Sequence, residues 1–150
     1  LRACLAGGWV EHHGKHYDFD RLMMAPAPKE PVPIYVGGHS EPALKRAARL
    51  GDGWIAVQVT PEEIAETVPK LVAYREELGT ADRPFEIKVT PLVMPTVDAM
   101  DELAGLGVTD VITVPWYFYG GDPEALDTKL RDLERFAAEV IAPMRARSTN

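Results

Sequence analysis

The stretch that decides the fold is PIYVGGHSEPALKRAARLGDGW, residues 33–54. Its short apolar run, Ile34–Val36, predicts a buried strand that ends at two adjacent glycines, Gly37 and Gly38. A helix is predicted to begin directly afterwards, with Ser40 as its N-cap and a proline in its first turn. Glycines carry no Cβ atom and adopt positive φ readily. The stretch therefore predicts one strand–turn–helix unit with a sterically open turn.

The turn at Gly37 and Gly38 has two interpretations. The N–H groups of such a turn and of the helix start point outward together and favour an anion, to which the helix dipole adds about 0.3–1 kcal/mol. The functional interpretation is a phosphate-binding turn. The structural interpretation is a tight turn that needs glycine for steric reasons alone. Residue types leave both interpretations open.

The composition is that of an ordinary soluble globular protein. The 150 residues are 46% hydrophobic and 26% charged, with a formal net charge of −7. Scattered Lys and Arg in an acidic chain argue against a nucleic-acid partner. The single cysteine, Cys4, cannot form an internal disulfide, and no apolar run approaches the roughly 20 residues that cross a bilayer. We therefore expect a cytoplasmic protein without a membrane partner.

From residue 33 onward the pattern is strand–helix four times over. The alternation predicts parallel strands joined by right-handed crossovers. Two closures are possible: an open doubly wound sheet, or half of an eight-stranded β/α barrel, and in both the ligand lies at the carboxyl ends of the strands. The predicted strands are 33–36, 53–59, 85–93 and 110–114, and the predicted helices are 41–50, 60–78, 98–106 and one beginning at Asp122-Pro123.

The residues before the first β/α unit follow a different pattern. Residues 1–8 resemble the end of a helix, and residues 9–20 alternate on either side of Gly14, which predicts a β-hairpin. Four prolines in 25–33 predict an extended linker. The expected organisation is one partial domain: helix end, hairpin and linker over 1–32, four β/α units over 33–146, and a frayed tail over 147–150. Because the chain starts inside a helix without methionine, we expect it to be part of a longer protein.

Three segments in this order and spacing carry a family resemblance: HGKHYDF at 13–19, PIYVGGHS at 33–40 and AARLGDGW at 47–54. They resemble the C-terminal half of luciferase-like oxidoreductases, the flavin- and deazaflavin-dependent enzymes related to bacterial luciferase. The resemblance implies that the chain is the C-terminal half of a (β/α)8 TIM barrel and provides strands five to eight.

The resemblance also implies an activity and a cofactor. The deazaflavin coenzyme F420, or alternatively FMN, would lie at the carboxyl end of the barrel and serve hydride transfer or oxygenation of a small organic substrate. Gly37 and Gly38 would bind the cofactor phosphate through backbone N–H groups, and His39 and Ser40 could add side-chain donors. The first half of such a barrel usually provides the residues nearest the chemistry, so no catalytic residue is assigned.

Three other residue groups each allow a functional and a structural interpretation. His12, His13 and His16 suggest a metal site and metal-dependent hydrolysis, but only His12 and His16 would share a hairpin face, so we predict no metal. Glu86 and Lys88 would form either a charge pair near the ligand or a structural pair. Residues 116–119, four successive aromatics, would either wall a ligand or pack against a neighbouring loop or subunit.

Half a barrel would leave unpaired strand edges and an open lumen face. We therefore expect association, with the missing N-terminal half-barrel or with a second copy in a homo-oligomer. The alternative to an enzyme is a non-catalytic half-barrel that binds a phosphate-bearing ligand or only assembles with a partner.

Overall fold

The computed structural model describes residues 1–148 and divides into two compact units, with the boundary along the chain between Ile34 and Tyr35. The first unit holds a short helix, α1 (Arg2–Leu5), and an antiparallel pair of strands, β1 (Trp9–His13) and β2 (Asp18–Met23). The predicted hairpin is confirmed, and its second strand extends three residues beyond the predicted segment.

The second unit holds four parallel strands and their helices. Each strand is followed along the chain by a helical segment, as the alternating pattern predicted. The elements are β3 (Tyr35–Gly37), α2 (Glu41–Leu50), β4 (Gly53–Val59), α3 (Pro61–Glu77), β5 (Glu86–Pro91), α4 (Val97–Gly105), β6 (Asp110–Val111), a 3₁₀ turn (Pro115–Tyr117), α5 (Leu126–Phe136), a π turn (Ala137–Ile141) and α6 (Ala142–Ser148).

The strand order decides between the two predicted closures. The strands pair as β3-β4-β5-β6, in chain order and parallel throughout. A doubly wound sheet reverses its order at one point, so that helices cover both faces, whereas a barrel adds each strand beside the last. The second unit is therefore four consecutive units of a (β/α)8 barrel, as the resemblance implied.

The two faces of this sheet differ in burial. Trp54, Ala56, Ile87 and Val89 alternate along β4 and β5 and are buried in one core with side chains from the helices. Their sequence neighbours on the opposite face, such as Val57, remain partly or largely exposed. This open face corresponds to the side that lines the lumen of a closed barrel.

Local sequence sets several element boundaries. The Oγ1 atom of Thr60 accepts the Glu63 N–H at 3.3 Å, and Oε2 of Glu63 accepts the Thr60 N–H at 2.8 Å. This capping box and Pro61 in the first turn start α3 as predicted. Helix α3 ends before Gly79, whose φ of +64° is a conformation that glycine adopts without strain.

The last helix differs from its prediction. The helix was expected to begin at Asp122-Pro123, but Asp122 Oδ1 instead accepts the N–H of Glu124, which is a local turn, and α5 begins at Leu126. The sequence also predicts an apolar stripe at helical spacing, formed by Leu126, Leu130, Leu133, Phe136, Ala137, Val140 and Ile141. This prediction is wrong in part, because Leu126, Leu130 and Leu133 are all exposed.

The π turn gives the physical reason. Its extra residue per turn shifts the helical phase, so the face that buries Val140 after the turn is not continuous with the leucine stripe before it. Thr128 and Asp132 occupy the buried face of α5 instead. In addition, the last strand is two residues long rather than five.

Helix α6 includes Arg147 and Ser148, and the predicted fraying of the last two residues lies outside the described part of the chain. None of the helices in residues 1–148 combines the length and apolar composition that crossing a bilayer requires.

Candidate functional site

The Gly37–Ser40 turn lies at the edge of the sheet where ligands bind in β/α folds. Gly37 is the last residue of β3, and all four strands are parallel. The loops that follow Val59, Pro91 and Val111 therefore leave the sheet at the same edge as this turn. This carboxyl edge is the face on which β/α barrels build their sites.

Gly38 is fixed in a conformation that only glycine adopts easily. Its φ is +112°, and a Cβ atom added there would lie 2.9 Å from the Cβ of Ala43. Gly37 differs, since an added Cβ atom would meet Ile55 at an ordinary 3.7 Å. The tight-turn requirement predicted for both glycines therefore applies to Gly38.

The amide groups of the turn are available to a ligand. Within the described residues, the N–H groups of His39, Ser40 and Glu41 donate no hydrogen bond to a protein acceptor. Three unsatisfied N–H groups at the start of a ten-residue helix form a site with partial positive charge. The geometry fits an anion such as a phosphate.

The buried indole of Trp54 contacts the turn through one hydrogen bond and one ring contact. Its Nε1–H donates to the carbonyl oxygen of Gly38 at 2.9 Å, and the exposed ring of His39 meets the indole edge-on at 6.1 Å. Because Trp54 is fully buried, this contact connects the turn to the hydrophobic core of the second unit.

Ser40 occupies the N-cap position, as predicted, but makes no capping hydrogen bond with its side chain. Its carbonyl oxygen accepts the N–H groups of Ala43 and Leu44 at 2.9 and 3.0 Å, which starts the helix without the hydroxyl. The exposed Ser40 hydroxyl therefore remains as a donor beside the three amides.

The aromatic residues at 116–119 lie at the same edge of the sheet. The 3₁₀ turn carries Trp116 and the exposed Tyr117, whereas the hydroxyl of Tyr119 donates to the Pro95 carbonyl at 3.4 Å. Burial raises the pKa of Tyr119, and the guanidinium of Arg135 lies 4.2 Å from the centre of its ring. Tyr119 thus joins the loops after β5 and β6, while Tyr117 faces solvent.

Sequence reasoning missed one residue at this edge, Gln58. It adopts a φ of +55°, the only positive φ among the described residues other than glycine. The pairing of β4 with β5 passes from Val57–Thr90 to Val59–Pro91, so Gln58 is the extra residue of a β-bulge. Strained residues and bulges recur beside functional sites. A glutamine within an apolar strand gave no signal of either feature.

Glu86 and Lys88 belong to a charge cluster far from this edge. Lys88 Nζ lies 2.8 Å from Glu86 Oε2 and 3.3 Å from Asp110 Oδ1, and the Tyr35 hydroxyl donates to Glu86. The hydrogen bond from Lys88 lowers the pKa of Glu86, and Glu86 raises the pKa of Lys88. Tyr35, Glu86 and Asp110 begin their strands, so the cluster lies on the open face at the amino edge of the sheet, which supports the structural-pair interpretation.

The hairpin histidines do not form a cluster. Nδ1 of His13 pairs with Asp18 at 2.7 Å, and the ring of His12 packs near Phe19. Among residues 1–148, no three His, Cys, Asp or Glu side chains are placed to hold a metal ion.

Comparisons with known proteins place this geometry in a family. A model of the family described as luciferase-like monooxygenase matches residues 1–142. An uncharacterized protein of Mycobacterium tuberculosis is 46% identical over 145 residues, which cover 95% of this chain and 49% of that protein. The chain thus spans about half the length of its mycobacterial relatives.

Two further similarities concern F420-dependent enzymes. An F420-dependent glucose-6-phosphate dehydrogenase of Kineococcus radiotolerans is 34% identical over 89 residues, or 54% of this chain and 26% of that enzyme. The coenzyme F420-dependent tetrahydromethanopterin reductase of Methanopyrus kandleri has the same fold, with a TM-score of 0.72 at 17% identity over 94% of this chain and 60% of that one. The match over residues 1–142 is decisive: the chain belongs to the luciferase-like monooxygenase family.

Proposed function

We propose that this chain is the cofactor-anchoring part of an F420-dependent oxidoreductase. The observation that carries the proposal is the turn at the carboxyl edge, where Gly38 leaves room and the amides of His39, Ser40 and Glu41 lack protein acceptors. These amides and the backbone at Gly37 would bind the cofactor phosphate, and His39 and Ser40 would add side-chain donors.

The chemistry would come from the cofactor, which in its deazaflavin form transfers a hydride. The residues of this chain would hold and orient it at the carboxyl edge. Support for F420 rather than FMN comes from the names of the related dehydrogenase and reductase, both of which are F420-dependent. FMN is the alternative that the experiment compares, and oxygenation in place of hydride transfer is the alternative reaction.

The test is a titration of the chain with F420 and, separately, with FMN, followed by cofactor fluorescence anisotropy. We expect F420 to bind and Gly38→Ala to weaken its binding at least tenfold, because the added methyl group would lie 2.9 Å from the Cβ of Ala43 and displace the turn. The matched control is Gly79→Ala, which also places alanine at a positive φ, +64°, but at an open position. Gly79 follows α3 and precedes β5, so it lies at the amino edge of the sheet, away from the turn.

Each outcome separates the alternatives. Equal loss of affinity in both glycine variants would mean that general destabilisation, not the turn, limits binding, and would contradict the proposal. Tighter binding of FMN than of F420 would reassign the cofactor. Cofactor binding without any hydride transfer, either from an added donor to F420 or from reduced F420 to an added acceptor, would favour the non-catalytic half-barrel.

A further inference from the structure

The carboxyl edge presents exposed apolar side chains to a bound molecule. Five of them are between 45% and 65% exposed, although each extends from a strand end or from the loop that follows it. They are Val57, Leu92, Met94, Ile112 and Tyr117. These side chains lie at the same edge of the sheet as the cofactor turn. Burying them against an apolar or aromatic molecule would contribute roughly 25 cal/mol of binding free energy for each Å² removed from water.

Three of the four loops at this edge carry no charged residue, whereas the Gly37–Ser40 turn holds His39 and leads into Glu41. The segments 55–61, 89–97 and 111–121 contain no Lys, Arg, Asp or Glu. The two arginines of α5 that contact these loops are each paired with a carboxylate: Arg131 with Asp132 at 2.8 Å and Arg135 with Glu139 at 2.9 Å. A charged substrate group would therefore lose hydration here without gaining an unpaired counter-charge.

Polar residues of these segments also include Thr60 and Thr90, but Gln58 differs from them in its backbone conformation. Its side chain is exposed, and its backbone is held in the left-handed region at the bulge between Val57 and Val59. The segments of β4 and β5 on either side of the bulge stay paired. A primary amide offers two donors and one acceptor, which suits a neutral hydroxyl or carbonyl group.

We infer that this edge takes an uncharged, largely apolar or aromatic substrate, whose neutral hydrogen-bonding group contacts the amide of Gln58. The inference rests on the proposed function, because it places the substrate beside the cofactor turn. It also separates this chain from an enzyme that acts on a phosphorylated sugar, since the loops after β4, β5 and β6 offer no unpaired cation to a second phosphate.

A matched pair of probes tests the inference. 2-Naphthol and 2-naphthoate share one ring system and differ in charge at pH 7, and their binding to the full chain is measured by calorimetry with and without F420. We expect 2-naphthol to bind at least tenfold more tightly than 2-naphthoate. We expect Gln58→Gly to weaken 2-naphthol binding about 3- to 10-fold, the effect of one neutral hydrogen bond, and Gln58→Asn to retain most of the affinity.

Glycine and asparagine both suit the backbone conformation at position 58, so both variants are expected to fold. Glycine adopts a φ of +55° without strain, and asparagine tolerates the left-handed region while keeping an amide. Equal affinity for the two probes, no binding of 2-naphthol, or no effect of Gln58→Gly would overturn the inference. Failure of F420 to bind while the probes still differ would instead defeat the proposed function and leave the charge selectivity of the edge established.

Discussion

Gly38 and Gly37 are adjacent in sequence but respond differently to an added methyl group. Gly38→Ala places a Cβ atom 2.9 Å from Ala43 at a φ of +112°, and we expect it to lower the free energy of unfolding by about 1–3 kcal/mol. Gly37→Ala has room at 3.7 Å, and we expect it to be neutral or to stabilise by about 0.4–1 kcal/mol. Urea unfolding of both variants measures the difference. Equal effects would show that the turn is not built as described.

Glycine within a strand usually destabilises a protein, but at position 58 we expect glycine to stabilise it. Because its φ of +55° strains any residue with a Cβ atom, we expect Gln58→Gly to raise the free energy of unfolding by about 1 kcal/mol. Gln58→Ala is the control, since alanine removes the amide but keeps the strain. Thermal unfolding followed by circular dichroism measures both variants, and a gain in the alanine variant would assign the effect to the side chain rather than to the backbone.

The two N-caps of α2 and α3 offer a matched comparison of helix starts. Thr60 makes both hydrogen bonds of a capping box, whereas Ser40 makes no side-chain capping bond. We expect Thr60→Ala to lower the free energy of unfolding by about 0.5–2 kcal/mol and Ser40→Ala to change it by less than about 0.5 kcal/mol. Chemical denaturation distinguishes them. A large loss in Ser40→Ala would reveal a capping role that the geometry lacks.

Elements whose boundaries depend on neighbouring residues could be predicted from the sequence. The bounds of α2 and β4 match the prediction, and α3 begins at its capping box. The last helix could not be predicted in this way. Its leucines have ordinary helical spacing, and only the π turn, which brings Asp132 rather than Leu133 to the inside, decides which face is buried. Likewise, the Gly37–Gly38 turn was visible in the sequence, whereas the bulge at Gln58 depends on pairing with β5.

The charge cluster at the amino edge joins three strands and should make stability depend on pH. The pKa of Glu86 is lowered in the folded chain, so its contribution is present above its unfolded pKa, about 4.3, and is lost as the pH falls below it. We expect the advantage of the wild type over Glu86→Gln to be constant from about pH 5 to pH 9 and to shrink progressively as the pH falls below about 4. Urea unfolding across this range measures it.

Lys88 makes the stability of the chain depend on pH at the alkaline end of the range. Its raised pKa means that its contribution is complete below its unfolded pKa, about 10.4, and is lost only as the pH rises beyond that value. Glu134→Gln, on the exposed surface of α5, is the control for a general charge effect. An advantage of the wild type that is as large at pH 3 as at pH 7 would contradict the role of Glu86 in the cluster.

The second unit leaves exposed apolar side chains on two surfaces: the open sheet face, which carries Val57 as well as the charge cluster, and the leucine stripe of α5 (Leu126, Leu130 and Leu133). We propose that a missing half-barrel or a second copy covers them, and we expect the chain to self-associate at micromolar concentration. Leu130→Glu should weaken this association, whereas Val72→Glu, a comparably exposed site on α3, should not. Sedimentation velocity measures both. A compact wild-type monomer would contradict the proposal.

The consecutive strand order has a consequence for how such a chain can change over evolutionary time. Because every crossover in β3-β4-β5-β6 steps to the adjacent position in the same direction, the sheet has no internal reversal that fixes its size. Duplication of one β/α unit would extend the array without rearranging the units already present, and fusion of two arrays would need only matching edges. Growth by duplication of β/α units is therefore compatible with this topology.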